Sequence, residues 1–84
     1  MRIQKRDGRV VPYEEEKIVA AIQKANNEVE ERDRADQALV DEILTAVQDE
    51  GRELQAVEHV QDVIEQHLVQ HNKYVLSKKY MVYR

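Results

Sequence analysis

A short basic run near the start of the chain, together with one lysine that follows it, has the composition to bind phosphate. Lys5 and Arg6 come directly before Asp7-Gly8, and Lys17 lies one turn into the first predicted helix. An arginine offers a planar fork of donors and a lysine a compact charge, so the set suits a polyphosphate. Lys17 also fits an ordinary surface position, where it pairs with Glu14.

The known phosphate-binding loops are absent from the sequence. It contains neither GxxxxGK nor GxGxxG, which excludes the P-loop and the dinucleotide-binding fold. Phosphate binding in this chain therefore depends on the basic side chains.

Groups that could carry out catalysis are hard to find. Ser77 is the only serine, and no Ser, His and Asp set has a recognisable spacing, so we expect no enzyme activity. His67 and His71 share a helix face and His59 lies two turns before His67, an arrangement that can bind a divalent metal. The alternative is three solvated histidines, which we favour because the flanking acids follow no known ligand motif.

Charge is spread unevenly along the chain, whose net charge is −4. Residues 1–13 carry +3, residues 73–84 carry +4, and residues 14–72 carry −11. An acidic body argues against a nucleic-acid-binding surface. If the two basic ends meet in the fold they form a compact anion site; otherwise they only improve solubility.

Length and composition indicate one soluble domain. The chain has 84 residues, of which 42% are hydrophobic and 36% charged, which suits a globular domain. The absence of cysteine excludes disulfides and thiolate zinc sites. Because no apolar run is long enough to cross a bilayer and residues 1–10 have no apolar signal segment, we expect a cytoplasmic protein without membrane contact.

A β-hairpin is predicted at the start of the chain. Asp7-Gly8 is a strong signal for a two-residue type I′ turn, with residues 2–6 and 9–13 as the strands. In that register Arg6 lies opposite Arg9, and like charges in this position repel. A bound anion relieves the repulsion; alternatively, both guanidinium groups turn into water.

Four helices are predicted after the hairpin, over residues 14–27, about 36–50, 56–71 and 73–84. Asp33 or Asp36 is expected to cap the second helix, and Gly51 to follow its end. The fourth segment leaves some room for a strand because of its β-branched and aromatic residues. The predicted fold class is α+β, with an N-terminal β-hairpin capping a four-helix bundle.

Helical spacing also predicts which side chains of each helix are buried. The expected apolar positions are Ile18, Ala21, Ile22 and Ala25; Leu39, Val40, Ile43, Leu44 and Val47; Val57, Val60, Val63, Ile64 and Leu68; and Leu76, Tyr80 and Tyr83.

Three stretches in the right order and with the right gaps resemble the ATP-cone family. Residues 3–13 (IQKRDGRVVPY), followed by EKI at 16–18 and AI at 21–22, are similar to the opening of the family. Residues 57–65 (VEHVQDVIE) resemble its "apolar-E-x-I-Q-D-x-V-E" helix, and residues 80–84 (YMVYR) its Y-I-x-Y-R ending. The family fold is a four-helix bundle covered by a small β-sheet.

The resemblance implies an allosteric domain that binds ATP or dATP, with or without Mg²⁺. It implies that the phosphates are contacted by Lys5, Arg6 and Lys17. It also implies that Arg84, or a basic residue after it, adds charge from the C-terminal end. It implies that the base and sugar lie beside Val11, Glu14 and Ile18. The opposite wall of the pocket is then formed by Val57 and Gln61. Two positions depart from some reductase cones: Val57 replaces a threonine and Gln61 a histidine, so the polar contact at Val57 is lost.

The resemblance also implies a parent protein. Residues 74–84 are most similar to anaerobic ribonucleoside-triphosphate reductases, with an aerobic reductase as the alternative, and we expect residues 1–84 to be a fragment of such an enzyme. The partners are then ATP or dATP, the catalytic domain of the parent chain, and a second copy of the cone. Two alternatives remain: a protein-interaction domain with a degenerate pocket, and the cone of a nucleotide-responsive transcriptional repressor. The preference between ATP and dATP, and the number bound, stay open.

Overall fold

The computed structural model describes all residues 1–84 and has α+β architecture, with three short strands and four α-helices. The strands are β1 (Arg2–Gln4), β2 (Val10–Pro12) and β3 (Leu54–Ala56). The helices are α1 (Glu15–Asn26), α2 (Gln37–Gln48), α3 (Val57–Gln70) and α4 (Tyr74–Tyr83). One 3₁₀ turn, Glu31–Asp33, lies between α1 and α2. The predicted α+β class and the four helices are confirmed.

The sheet contains a strand that the sequence did not predict. Its order is β2-β1-β3, with β1 antiparallel to β2 and parallel to β3. Ile3 therefore lies between Val11 and Gln55. Gln55 is almost completely buried, and its Nε2 donates to the Val47 carbonyl oxygen at 3.2 Å. The hairpin is thus one part of a sheet whose third strand runs directly into α3.

The predicted hairpin register is wrong by one residue. Gln4 pairs with Val10, and the Lys5 amide donates to the Arg9 carbonyl oxygen at 2.7 Å, which makes a three-residue loop. A type I′ turn needs positive φ at two central residues, but in this loop only Gly8 has positive φ, at 90°. The Asp7 carboxylate instead accepts from the Arg9 amide at 3.0 Å, a local bond that favours the longer loop.

The expected repulsion between Arg6 and Arg9 is also wrong, because the two side chains do not face each other. Arg9 Nε lies 2.7 Å from an Asp7 carboxylate oxygen, whereas Arg6 Nε lies 3.0 Å from a Glu58 oxygen on α3. Arg9 therefore pairs within the loop, whereas Arg6 pairs with a residue of α3.

The apolar stripes of the helices meet in one core. The side chains without any exposed surface include Ile22 of α1, Ile43 of α2, Ile64 and Leu68 of α3, and Leu76 of α4. α1 packs on α4, α2 packs on α3, and α3 packs on α4. The helical spacing predicted these five buried positions correctly.

The start of α2 follows a local capping rule. Asp36 caps α2, since its carboxylate accepts from the Leu39 amide at 2.9 Å, as predicted. α2 ends at Gln48, and Gly51 follows with φ of 70°. Residues 74–83 form a helix and not a strand. No helix has both the length and the apolar character needed to traverse a bilayer.

Candidate functional site

A cavity of about 640 Å³ lies between the sheet, α1, α3 and the end of α4. Small-molecule pockets in proteins commonly have volumes of about 300–1,000 Å³. The sheet contributes Ile3 and Val11, the hairpin loop contributes its basic side chains, and Tyr80 and Arg84 approach from the C-terminal end. The first and last segments of the chain therefore meet at one place.

All the side chains that the sequence assigned to a nucleotide line this one cavity. They are Lys5, Arg6, Val11, Glu14, Lys17, Ile18, Val57, Gln61 and Arg84. The fold brings them together from the hairpin, two helices and the C-terminal residue.

The lining of the cavity is basic although the chain as a whole is acidic. Six basic and two acidic residues line it, whereas the net charge of the chain is −4. The basic residues are Lys5, Arg6, Arg9, Lys17, Lys24 and Arg84. A concentration of positively charged side chains in a cleft raises the local positive potential and attracts anions.

Carboxylates hold most of these cations. Lys17 Nζ lies 3.1 Å from a carboxylate oxygen of Glu14, the residue directly before α1, which is the pair expected for a surface lysine. No carboxylate lies within ion-pair distance of Lys5 or Lys24. These two side chains can therefore meet an incoming anion without first breaking an ion pair.

The Gln61 side chain links Arg6 and Arg84, which reach the cavity from the hairpin loop and from the C-terminal residue. Its Oε1 accepts from Arg6 Nη2 at 3.3 Å and also from Arg84 Nη1. Arg84 is fixed further by Glu65, whose carboxylate lies 3.0 Å from its Nε, and both side chains are largely buried. Arg84 is consequently held in place more firmly than Arg6.

One side of the cavity is apolar. Val57 and Ile18 are half-buried there, and Val60 and Ile64 lie behind them in the core. Ile18 and Val57, two of the predicted stripe positions that are not fully buried, thus face the cavity. An apolar wall beside a basic rim suits a ligand with a flat ring and a charged tail.

Tyr80 closes the inner end of the cavity as a neutral group. Burial raises the pKa of its hydroxyl to about 12, with a smaller upward contribution from the Glu65 charge that Arg84 opposes. The side chain is 2% exposed. It therefore stays protonated and adds no charge to the site near neutral pH.

Sequence reasoning missed several lining residues. Lys24 lies seven residues after Lys17 on α1, and both line the cavity. That spacing is two helical turns and places the two lysines on one face, so it could have identified Lys24. Tyr80 and Tyr83 were predicted only as core residues; Tyr80 is buried, but Tyr83 is 39% exposed and donates to Glu28.

The three histidines do not form a metal site. His59 faces Glu50, His71 faces Glu42 at 2.7 Å, and the Nδ1 of His67 lies 2.9 Å from the Val63 carbonyl oxygen. No group of three or more His, Cys, Asp or Glu side chains in the chain is arranged to hold a metal ion. The arrangement that allowed a metal is therefore not formed.

Comparison with known families agrees with this geometry. The family model described as the ATP cone domain matches residues 1–84, the whole chain. Domains of this kind bind nucleotide effectors such as ATP and regulate activity without catalysing a reaction. A basic cavity with an apolar wall has the chemistry that this role requires. The chain belongs to the ATP-cone family.

Proposed function

We propose that this chain is the nucleotide-sensing domain of a ribonucleotide reductase, with ATP or dATP bound in the cavity between the hairpin, α1 and α3. The observation that carries the proposal is the concentration of six cations around one cavity of an otherwise acidic chain. The negatively charged triphosphate is the part of the ligand that neutralises this positive charge.

The phosphates lie at the hairpin end of the cavity in this proposal. Lys5 has no competing carboxylate, and Arg6 and Lys17 line the same cavity from the loop and from α1. Arg84 adds charge from the end of α4. A lysine gives a mobile point charge and an arginine a fork of donors, so together they can follow three linked phosphates.

The base and sugar lie along the apolar wall. Val11 and Ile18 pack on one side of the ring and Val57 on the other, while Glu14 reaches the adenine amine or a sugar hydroxyl. Val57 has no side-chain donor or acceptor, so Gln61 supplies the polar contact on α3. Its Oε1 already accepts from both arginines, which supports a position for Gln61 between the base and the charged groups.

Mg²⁺, where it is present, enters as part of the ligand. It commonly binds through substrate phosphates and one or two carboxylates rather than in an all-protein cage. Glu14 and Asp7 are the acidic residues of the lining, and Asp7, in the hairpin loop beside the proposed phosphates, can complete the coordination of a phosphate-bound ion.

The wider context follows from the resemblance of residues 74–84 to anaerobic reductases. The cone is a single domain of a longer cytoplasmic enzyme, where ATP permits turnover and dATP stops it by changing subunit association. Its partners are the catalytic domain of the same chain and a second cone, and neither nucleic acid nor membrane takes part. The absence of cysteine suits a reducing compartment.

Titration calorimetry tests the binding directly. Wild-type protein takes up ATP or dATP saturably, and Lys5→Ala with Arg6→Ala weakens binding about 100-fold, about 2.7 kcal/mol, because two charge-assisted contacts are lost. A matched control is Arg2→Ala with Lys78→Ala, which removes the same two residue types outside the cavity. No heat with either nucleotide at millimolar concentration, from folded wild-type protein, contradicts the proposal.

A second candidate is a protein-interaction domain whose nucleotide pocket has decayed. Val57 favours it, because an apolar side chain stands where a polar contact is expected. A ligand that binds the folded state must raise its stability by mass action, about 2.7 kcal/mol at 100 times its Kd. A melting curve that does not move with ATP or dATP therefore favours this candidate.

A further inference from the structure

One ion pair at the site joins segments that are far apart in the sequence. Arg6 Nε lies 3.0 Å from a Glu58 carboxylate oxygen, and 52 residues separate the two positions. Besides this pair, the bond from Arg6 to Gln61 is the only side-chain hydrogen bond between the hairpin loop and α3. Arg6 alone therefore ties the loop to the helix.

The other ion pairs of the cavity differ from this one. Asp7 with Arg9, and Glu14 with Lys17, are local pairs two or three residues apart. Glu65 with Arg84 is mostly buried. The pair of Arg6 and Glu58 is both long-range and exposed, with 63% and 67% of the two side chains accessible. A ligand can therefore take the place of Glu58 without disturbing the core.

We infer that Glu58 is an internal competitor for the phosphate of the effector, holding Arg6 in the free protein and releasing it when a polyphosphate binds. The inference rests on the function proposed above. A carboxylate and a phosphate oxygen seek the same guanidinium donors. Affinity is consequently lower than the cavity allows, and binding breaks the ion pair between Arg6 and Glu58.

Because of the position of Glu58, the separation of Arg6 from it costs little free energy. It lies in the first turn of α3, where the helix dipole stabilises a negative charge. After Arg6 leaves, Glu58 remains in water near the positive end of its helix. Exposed ion pairs contribute little to stability, so a ligand with several phosphate charges displaces the carboxylate more readily than a ligand with one.

The test compares Glu58→Gln with Asp62→Asn. Glutamine keeps the size of Glu58 and can still accept a hydrogen bond, but it no longer competes as an anion. Asp62 is exposed one turn later on α3, lines no part of the cavity and pairs with no cation, so its variant removes the same charge from the same helix. The calorimetric probes are ATP, inorganic tripolyphosphate and adenosine.

Glu58→Gln is expected to bind ATP and tripolyphosphate about threefold to fivefold more tightly than wild type, the upper part of the range that an exposed ion pair gives. Adenosine affinity is expected to stay unchanged, because adenosine has no phosphate for Arg6, and Asp62→Asn is expected to change none of the three by more than about 1.5-fold. Melting curves without ligand check that both variants are folded.

The possible failures separate the two proposals. Equal tightening by Asp62→Asn, tightening that extends to adenosine, or weaker ATP binding by folded Glu58→Gln each overturns the competitor role and leaves the nucleotide site in place. Wild-type protein that binds neither ATP nor tripolyphosphate overturns the proposed function, and the competitor role with it.

Discussion

The hairpin loop, residues 5–9, and the connection between α1 and α2, residues 27–36, are both rich in charge but bond to different kinds of partner. In the α1–α2 connection, Arg34 Nε donates to the backbone carbonyl oxygens of Asn26 and Val29 at 2.9 and 3.3 Å. In the hairpin loop, Arg6 donates to the side chains of Glu58 and Gln61.

The type of partner decides what each loop can do. A backbone carbonyl is fixed by the fold, and leaving it without a donor in a buried position carries the full cost of its desolvation. An exposed carboxylate can turn into water when its partner leaves. The α1–α2 connection is therefore structural, whereas the hairpin loop can exchange its partners for a ligand.

Removing the side chain of Asn26 gives the largest effect expected from this comparison. Its Oδ1 accepts from the Ala35 amide at 2.9 Å and its Nδ2 donates to the Ala35 carbonyl oxygen at 3.1 Å. Asn26→Ala leaves both backbone groups of the buried Ala35 without these partners and lowers the free energy of unfolding by about 2–3 kcal/mol. Urea denaturation measures the change.

Asn27→Ala is the matched control, because Asn27 is exposed and its side chain makes no hydrogen bond. We expect this variant to stay within about 0.5 kcal/mol of wild type. ATP affinity of the folded protein should be unchanged in both variants. If Asn26→Ala weakened ATP binding while hardly changing stability, the division between a structural and a ligand-binding loop would fail.

The cap of α2 provides a second, smaller effect on the structural side. Asp36→Ala removes the carboxylate that accepts from the Leu39 amide, and we expect a loss of about 1 kcal/mol in the free energy of unfolding. Asp36→Asn keeps an acceptor oxygen and should recover most of this loss. Equal losses in the two variants would mean that charge, and not the capping bond, stabilises the helix.

Local rules predicted the helices from the sequence, and long-range pairing explains what they missed. The apolar spacing of α1 to α4 and the cap at Asp36 each depend on residues within four positions of one another. β3 has only three residues and exists because it pairs with β1, about fifty positions earlier. The hairpin register was missed because the Asp7 carboxylate bonds to the Arg9 amide, which composition does not show.

The same division between what was predicted and what was missed applies to the candidate site. Family resemblance named side chains that the fold gathers around one cavity, among them Lys5, Lys17 and Arg84. The contact of Arg6 with Glu58 was not predicted, since no local pattern relates residues 52 positions apart. The roles of all these side chains in nucleotide binding remain a prediction for the experiments above.

The last prediction concerns Asp7, where we expect the smallest effect. Its carboxylate accepts from both the backbone amide and the side chain of Arg9, so it combines the two kinds of partner compared above. These bonds, first the one from the amide, hold the pKa of its carboxyl below the ordinary value of 3.8. The stability that they contribute is therefore present above pH 3.8 and is lost as the pH falls through the lower, folded-state pKa.

In Arg9→Ala we expect the pKa of Asp7 to rise only part of the way to 3.8, since the amide of residue 9 still donates, and we expect no measurable change in melting temperature at neutral pH. An NMR titration of the Asp7 carboxyl carbon checks both the direction and the size of the change. A full return to 3.8 would show that the exchangeable guanidinium, and not the fixed backbone, holds this carboxylate, and the turn itself would then depend on a side chain that a phosphate can take.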